Sequence, residues 1–208
     1  MSAPVVGTDA AGVREAAAVV ARGGVLLYPT ETVYGLGGDA FAAGALDRVR
    51  ALKGRDAGRP VLALTDDWAR VAAWLAGLTD VHDRLMAAGA PLTILFEAGP
   101  GAPPGLVGPE GLVGVRRTTD PFCRAVIATC QTPLVSTSAN PAGAPPPVAF
   151  ADVDVRLLDA VDLAVDAGAP LAGVPSTVVR VVDGEAVVLR EGAVDAATVR
   201  RIAAGRVG

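Results

Sequence analysis

Polar side chains of the kind that bind anions follow several apolar segments of the sequence, at positions where strands would end. The four groups are Thr30/Thr32/Tyr34, Arg116/Arg117, Ser136/Ser138/Asn140 and Ser176/Thr177. The segment 53–59 adds positive charge through Lys53, Arg55 and Arg59. Hydroxyls, amides, arginines and a lysine together suit a ligand with many anionic oxygens, such as a polyphosphate. One polar turn is typical of any loop, but the recurrence at several strand ends predicts an anion-binding site.

The sequence lacks the residue sets used for covalent or zinc-dependent catalysis. It has no Ser-His-Asp set, no nucleophile elbow, no cysteine beside a histidine and no metal-ligand cluster. Helical spacing places His82, the only histidine, on the exposed side of a predicted helix, which disfavours a role as metal ligand or general base. Cys123 and Cys130 have neither CxxC nor metal spacing, and we interpret them as buried thiols. Nucleotidyl or phosphoryl transfer needs only positioning and charge neutralisation, and fits this inventory.

Lys53 is the only lysine among 18 basic residues. A chain this rich in Ala, Gly and Arg indicates GC-rich codons, which would turn dispensable lysines into arginines. The lysine at position 53 therefore indicates a role for its compact ammonium, which arginine cannot imitate. A surface lysine without function is the alternative.

The segment 25–28 is apolar on both faces and predicts a short buried strand, which Pro29 ends because it lacks an N–H. Beyond it, Gly35, Gly37 and Gly38 predict a turn whose backbone is free to approach a ligand. A tight turn whose hydroxyls cap the following helix is the alternative. The segment matches neither dinucleotide-binding nor Walker fingerprints.

Periodicity and capping residues predict the remaining elements. Helices are predicted from Thr8 or Asp9 to Gly23, at 42–52, after a cap at Thr65, from Thr79 to Met86, from Asp120 through the cysteines, and at 195–204. Strands are predicted at 61–64, 92–96, 112–115 and 161–165, and the segment 133–140 predicts a strand that passes into a second hydroxyl-rich turn. A late hairpin, 178–181 and 186–189, turns at Asp183-Gly184. Early alternation and a late hairpin predict an α/β fold with a twisted mixed sheet flanked by helices, in a single domain over 1–208.

Two loops are candidates for a lid over the site. The segment 97–110 is rich in Gly and Pro and is too polar and broken to pack; the segment 141–147 is rich in Pro. The sequence does not decide between them.

Composition excludes several functional classes. The chain has 208 residues, 51% of them hydrophobic, and a formal net charge of −4. Negative charge disfavours a general nucleic-acid coat. No apolar run reaches membrane-spanning length, and the N-terminus lacks a secretory signal, so we expect a soluble cytoplasmic protein.

Seven motifs in a fixed order resemble the YrdC-like family of L-threonylcarbamoyladenylate synthases, in its short form, over 23–192. They are PTETVYGLG at 29–37, K-x-R at Lys53 and Arg55, PLT at 91–93, VGVR at 113–116, STSAN-x-x-G at 136–143, PSTVV at 175–179 and R-x-G at 190–192. The resemblance implies synthesis of threonylcarbamoyl-AMP from threonine, bicarbonate and ATP, with Mg²⁺ as counter-ion and pyrophosphate as the leaving group. Partner proteins would then transfer the threonylcarbamoyl group to an adenosine in tRNA.

The resemblance also implies roles for individual residues. The central set around ATP and bicarbonate is Lys53, Arg55, Ser138 and Asn140, with Arg190 also at the nucleotide. The residues around threonine are Thr32, Arg116, Ser136 and Ser176, with Arg116 pairing the carboxylate. Asp56, Arg59, Leu64 and Ala90 depart from common residues of the family, and Arg59 would replace an amide contact to ATP with a charged one.

Two alternatives remain open. A YrdC-like module that binds RNA without catalysis is the first, although net negative charge and few stacking aromatics disfavour it. A paralogue that carbamoylates and adenylates another amine is the second.

Overall fold

The computed structural model describes residues 2–54, 61–141 and 143–206, and its centre is an 11-stranded mixed sheet. The strands are β1 Val5–Val6, β2 Leu26–Tyr28, β3 Gly35–Gly37, β4 Leu62–Thr65, β5 Leu75–Ala76, β6 Leu92–Ala98, β7 Leu112–Arg117, β8 Leu134–Ser138, β9 Leu163–Val165, β10 Thr177–Val182 and β11 Glu185–Arg190. The helices are α1 Ala10–Ala21, α2 Ala43–Leu52, α3 Asp80–Ala87, α4 Pro121–Cys130, α5 Val155–Leu158 and α6 Ala196–Ala203. Short 3₁₀ helices cover Trp68–Trp74, Pro104–Leu106 and Phe150–Asp152.

The strand order is β1-β9-β2-β3-β8-β4-β7-β6-β10-β11, with β5 paired to β6. The pairs β1/β9, β2/β9, β4/β7 and β6/β10 are parallel, and the other pairs are antiparallel. This arrangement confirms the predicted twisted mixed sheet flanked by helices. In the described part of the chain, every helix is too short or too polar to span a bilayer.

Two apolar clusters lie on opposite faces of the sheet because successive strand residues point to opposite sides. Leu26 and Tyr28 pack in one cluster, whereas Leu27 between them packs in the other. The smaller cluster contains residues of α1 and α4, and the larger one contains residues of α2, α3 and α6. Farther along the face of the smaller cluster, the strands line a cavity.

Aspartate caps begin three helices at predicted places. Asp9, Asp120 and Asp195 accept hydrogen bonds from backbone N–H groups of the first turns of α1, α4 and α6. The predicted cap at Thr65 is wrong. Thr65 ends β4 and donates its hydroxyl to Asp67 O at 2.6 Å, and Asp67 caps the 3₁₀ helix that follows.

The glycine-rich turn predicted after Pro29 is instead the strand β3, between β2 and β8. A Cβ atom on Gly37 would overlap the carbonyl oxygen of Val135, and one on Gly38 would lie 2.6 Å from Gly24 O. These two glycines therefore let backbones pack closely, which explains why ligand access was the wrong interpretation of them.

The segment 97–110 packs on the molecule, contrary to prediction. Leu106 is buried, and Gly99 N and Gly101 N donate to Trp74 O and Ala73 O at 2.7 and 2.9 Å. Backbone hydrogen bonds and one anchoring leucine compensate for the low apolar content of this loop.

His82 is buried, and the prediction of an exposed histidine is wrong. As the third residue of α3, its ring turns back so that Nδ1 accepts from Thr79 N at 3.2 Å. The ring also stacks on Phe96 with centroids 5.3 Å apart. Helical spacing alone does not include these contacts across the helix start.

The His82 ring should make stability depend on pH. Burial lowers the pKa of His82, so the neutral ring is favoured in the folded state. The unfolded chain then binds the proton more readily, and stability falls as the pH drops through the unfolded pKa of about 6.5. We expect the urea midpoint of the wild type to fall more than that of His82→Gln, which keeps a capping acceptor, between about pH 7.5 and 5.5. Equal pH dependence in the two proteins would contradict this.

Two glycine-to-alanine changes should act in opposite directions. Gly37→Ala places a methyl group against Val135 O and should destabilise the fold by roughly 1–3 kcal/mol or more. Gly44→Ala, in α2 with nothing within 4 Å of the new Cβ, should stabilise it by about 0.5–1 kcal/mol. Denaturant titrations measure both, and a neutral Gly37→Ala would refute the close packing of β3.

Candidate functional site

A cavity of about 280 Å³ lies over the part of the sheet face that α1 and α4 leave free. Its polar lining comes from Thr30, Thr32, Tyr34, Thr93, Arg116, Ser136, Thr137, Ser138, Ser176 and Arg190. Its apolar lining comes from Val33, Gly35, Val61, Leu62, Leu95, Gly114, Pro146, Pro175 and Val178. Hydroxyls and two guanidinium groups beside an apolar floor suit a ligand with anionic and apolar parts.

Sheet register explains how distant segments meet in this cavity. Ser136 pairs with Leu62, Leu62 with Gly114, and Gly114 with Leu95, so these four residues form one row across β8, β4, β7 and β6. Paired residues point to the same face, and the row therefore forms a continuous floor.

Six of the predicted site residues line this cavity: Thr32, Arg116, Ser136, Ser138, Ser176 and Arg190. Three members of the polar strand ends do not: Asn140, Arg117 and Thr177. Asn140 Oδ1 accepts from Lys53 Nζ instead. Arg117 lines a separate small pocket beside Trp68, and Thr177 donates its hydroxyl to Val194 O at 2.6 Å. Arg116 and Ser176, which precede Arg117 and Thr177 in the sequence, face the cavity because adjacent residues of an extended chain point to opposite sides.

Arg116 is a buried cation at the cavity wall. Its side chain is 4% exposed, and Nη1 donates to Thr32 Oγ1 at 3.1 Å. Its Nε lies 3.4 Å from Glu31 Oε1 but makes no hydrogen bond, since the alignment is poor. A buried guanidinium with few acceptors favours an anionic ligand at this position.

Hydroxyl pairs fix the walls beside Arg116. Thr30 Oγ1 lies 2.9 Å from Thr32 Oγ1, accepts from Thr32 N and donates to Val33 O, so it organises the turn after β2. Thr93 Oγ1 lies 2.8 Å from Ser176 Oγ. Thr93 belongs to the PLT motif, which was the sequence signal for it, although we did not predict it as a site residue.

Lys53 caps the C-terminus of α2, and its ammonium is buried against the turn that follows β8. Nζ donates to the backbone oxygens of Ser138 and Asn140 and to Asn140 Oδ1, the last at 3.0 Å. The Asn140 amide nitrogen in turn donates to Ala144 O at 2.6 Å. The structure thus brings Lys53, Ser138 and Asn140 together, while Arg55 and Arg59 lie outside the described residues.

A β-bulge places Arg190 at the cavity. Val179 pairs with Val188, whereas Val178 pairs with Arg190, so Leu189 is an extra residue in β11. The bulge lets Arg190 lie on the cavity face, where its Nη2 donates to Ser176 O at 2.7 Å. Motif matching predicted Arg190, but no sequence pattern indicated the bulge.

The turn after β2 is tied to the segments at the cavity mouth. Tyr34 N donates to Pro147 O at 3.1 Å, Gly173 N donates to Thr32 O at 2.8 Å, and the Tyr34 hydroxyl accepts from Ala167 N at 3.0 Å. Of the two loops considered as lids, 141–147 contributes Pro146 to the lining, whereas 97–110 contributes none of its described residues.

The chain is similar to known proteins over most of its length. Residues 18–192 match the Sua5_yciO_yrdC family model, described as "Telomere recombination". The chain is 38% identical over 153 residues to the threonylcarbamoyl-AMP synthase of Chromohalobacter salexigens, covering 73% of this chain and 83% of that protein. It is 40% identical over 131 residues to the Thiobacillus denitrificans protein of the same name, covering 62% and 70%.

Solved structures share the fold. P. abyssi Sua5, as a double variant, aligns with a TM-score of 0.85 and 26% identity, covering 90% of this chain and 60% of that one. A second structure of that protein, complexed with L-threonine, aligns at 0.87 with 24% identity, covering 97% and 61%. E. coli YciO aligns at 0.82 with 25% identity, covering 94% and 98%. The chain therefore spans about three fifths of the length of P. abyssi Sua5.

Proposed function

This chain belongs to the Sua5/YciO/YrdC family, and we propose that it makes threonylcarbamoyl-AMP from threonine, bicarbonate and ATP, releasing pyrophosphate. The buried Arg116 guanidinium in a hydroxyl-lined cavity is the observation that carries the proposal. An amino-acid carboxylate would supply aligned hydrogen-bond acceptors for this guanidinium, whose contact with Glu31 is not an aligned hydrogen bond. The relatives are named threonylcarbamoyl-AMP synthases, and that name supports the proposed product.

The threonine end of the cavity would lie at Arg116. The guanidinium would pair with the α-carboxylate, while Thr32, Ser136 and Ser176 offer hydroxyls to the remaining polar groups. All three hydroxyl residues are buried, so a ligand bound there would exchange hydrogen bonds with them away from bulk water.

The nucleotide end would lie toward Ser138 and Arg190. Lys53 and Asn140 hold the Ser138 turn from behind, and Arg190 offers its guanidinium to phosphate or ribose oxygens. Arg55 and Arg59 complete the proposed nucleotide site by their positions in the motif.

The reaction needs no protein nucleophile. Threonine's amine and bicarbonate form a carbamate with loss of water, and a carbamate oxygen then attacks the α-phosphorus of ATP as the bond to the β-phosphate breaks. Positioning two anions and neutralising charge are the tasks left to the protein. Cys123 fits no nucleophilic role, because burial raises the pKa of its thiol and disfavours the thiolate.

Magnesium would enter with ATP as its counter-ion. Within the described ranges, no three His, Cys, Asp or Glu side chains form a group that could hold a metal ion. Glu31, beside the cavity, already contacts Arg116 and Thr118. The described residues thus supply no three-ligand cluster for the metal. Proteins that transfer the threonylcarbamoyl group to tRNA would act downstream.

Pyrophosphate release should require both threonine and bicarbonate, because their carbamate is the nucleophile.

We expect kcat/KM to rank threonine first, with serine reduced by the lost methyl contact and valine lowest, since valine leaves buried hydroxyls unpaired. A coupled pyrophosphate assay, with mass spectrometry of the AMP adduct, measures this. Pyrophosphate release without bicarbonate would refute the proposed synthase activity. Preference for another amine would indicate the paralogue. Salt-sensitive RNA binding without pyrophosphate release would indicate a module that binds RNA without catalysis.

Lys53→Arg should abolish most activity, although it keeps the charge. The ammonium fits among oxygen acceptors of Ser138 and Asn140, and a planar guanidinium is too broad for that position. We expect kcat/KM to fall about a hundredfold or more for Lys53→Ala, and most activity to be lost in Lys53→Arg. Arg14→Lys, an exchange of the same residue types on the exposed side of α1, is the control.

Circular dichroism and thermal melts should accompany these assays, since Lys53 is buried. Near-normal turnover of a folded Lys53→Arg variant would show that the compact ammonium is dispensable.

A further inference from the structure

We propose that Glu31 is a positioning residue, which orients the Arg116 guanidinium for the carboxylate of the amino-acid substrate and thereby sets the affinity for threonine. The inference rests on the proposed function, since it assigns that carboxylate to Arg116. Glu31 lies within the PTETVYGLG segment, in the turn after β2.

The Glu31 carboxylate is fixed on one side and approaches Arg116 on the other. Oε2 accepts from Thr118 Oγ1 at 2.8 Å, and Oε1 lies 3.4 Å from Arg116 Nε. The side chains of Glu31 and Arg116 are 16% and 4% exposed. A pair this far from water is weakly screened, so the attraction acts on Arg116 even without an aligned hydrogen bond.

Thr118 makes a rigid support for this carboxylate. It is buried just beyond β7, its N–H donates to Thr65 O at 2.9 Å, and its hydroxyl also accepts from Asp120 N at 3.2 Å. Glu31 is thereby tied to the end of the strand that carries Arg116.

The guanidinium is held from two directions by one turn. Glu31 lies at Nε, and Thr32 Oγ1 accepts from Nη1. Thr30 fixes the Thr32 hydroxyl at 2.9 Å. Adjacent residues of a single turn therefore set the plane of the guanidinium.

Glu31 is not among the described residues that line the cavity, although its neighbours Thr30 and Thr32 are. Glu31 therefore acts on the ligand through Arg116. A negative charge there also repels a bound carboxylate. A carboxylate bound on the cavity side of the guanidinium would lie farther from Glu31 than Arg116 does, so the attraction that orients Arg116 would be the larger effect. Loss of Glu31 should thus weaken threonine binding and leave the nucleotide unaffected.

The test compares KM values for the two substrates in Glu31→Gln, which keeps the shape and an acceptor for Thr118. We expect the KM for threonine to rise about tenfold or more, as for loss of a charge-assisted interaction, with kcat at saturating threonine and the KM for ATP nearly unchanged. Glu31→Asp, which restores the charge on a shorter side chain, should recover part of the affinity.

Asp66→Asn is the matched control. Asp66 pairs with Arg70 at 2.7 Å with side chains 14% and 20% exposed, away from the cavity lining. It should alter the melting temperature without altering the KM for threonine. Thr118→Val, which frees one side of Glu31, should raise that KM in the same direction as Glu31→Gln.

Calorimetric titration of threonine separates the two proposals. Failure of the wild type to bind threonine overturns the proposed function and this inference with it. Equal binding by wild type and Glu31→Gln, or parallel increases in both KM values, overturns the role of Glu31 alone.

Discussion

The buried ammonium of Lys53 is the contact on which the site depends most. A charge removed from water is costly unless oxygen acceptors replace its solvation, and the backbone oxygens of Ser138 and Asn140 do so. Lys53 caps the C-terminus of α2, which packs in the larger cluster, whereas Ser138 ends the central strand β8. One ammonium thus joins the helix layer to the strand end that forms the cavity wall. Its contact with Asn140 links residues that are 87 positions apart in the sequence.

The second feature on which the site depends is the division of one face of the sheet. One part of this face packs in the core, and the next part lines the cavity. Along β8, Leu134 packs in the cluster under α1 and α4, whereas Ser136 and Ser138, on the same side, line the cavity. Arg116 is buried at the cavity wall, and its removal from water strengthens the electrostatic interactions of its guanidinium. Stability and ligand binding therefore share the same strands and some side chains, since Tyr34 and Val61 belong to the larger apolar cluster and also line the cavity.

Local patterns predicted much of this arrangement, and long-range contacts account for what they missed. Aspartate caps and the Asp183-Gly184 turn, with φ angles of 51° and 79°, are encoded within a few residues. The site residues Arg116 and Thr32 each followed from a strand end, but their contact spans 84 residues. The error at Gly37 has the same origin, because the neighbouring strand β8 determines its environment. The error at His82 has it in part, since the ring contacts both the nearby Thr79 and the distant Phe96. The bulge at Leu189 has no local signal either.

The position of Arg190 on β11 gives the cavity unequal mechanical support. Among the described residues, β11 pairs with β10 alone and is the last strand of the sheet, whereas β7, which carries Arg116, pairs on both sides with β4 and β6. Edge strands open locally at a lower free energy than central ones. The backbone that carries Arg190 is therefore less rigid than the backbone that carries Arg116. Arg190 can shift to accommodate ligands of different size, whereas Arg116 keeps a fixed geometry.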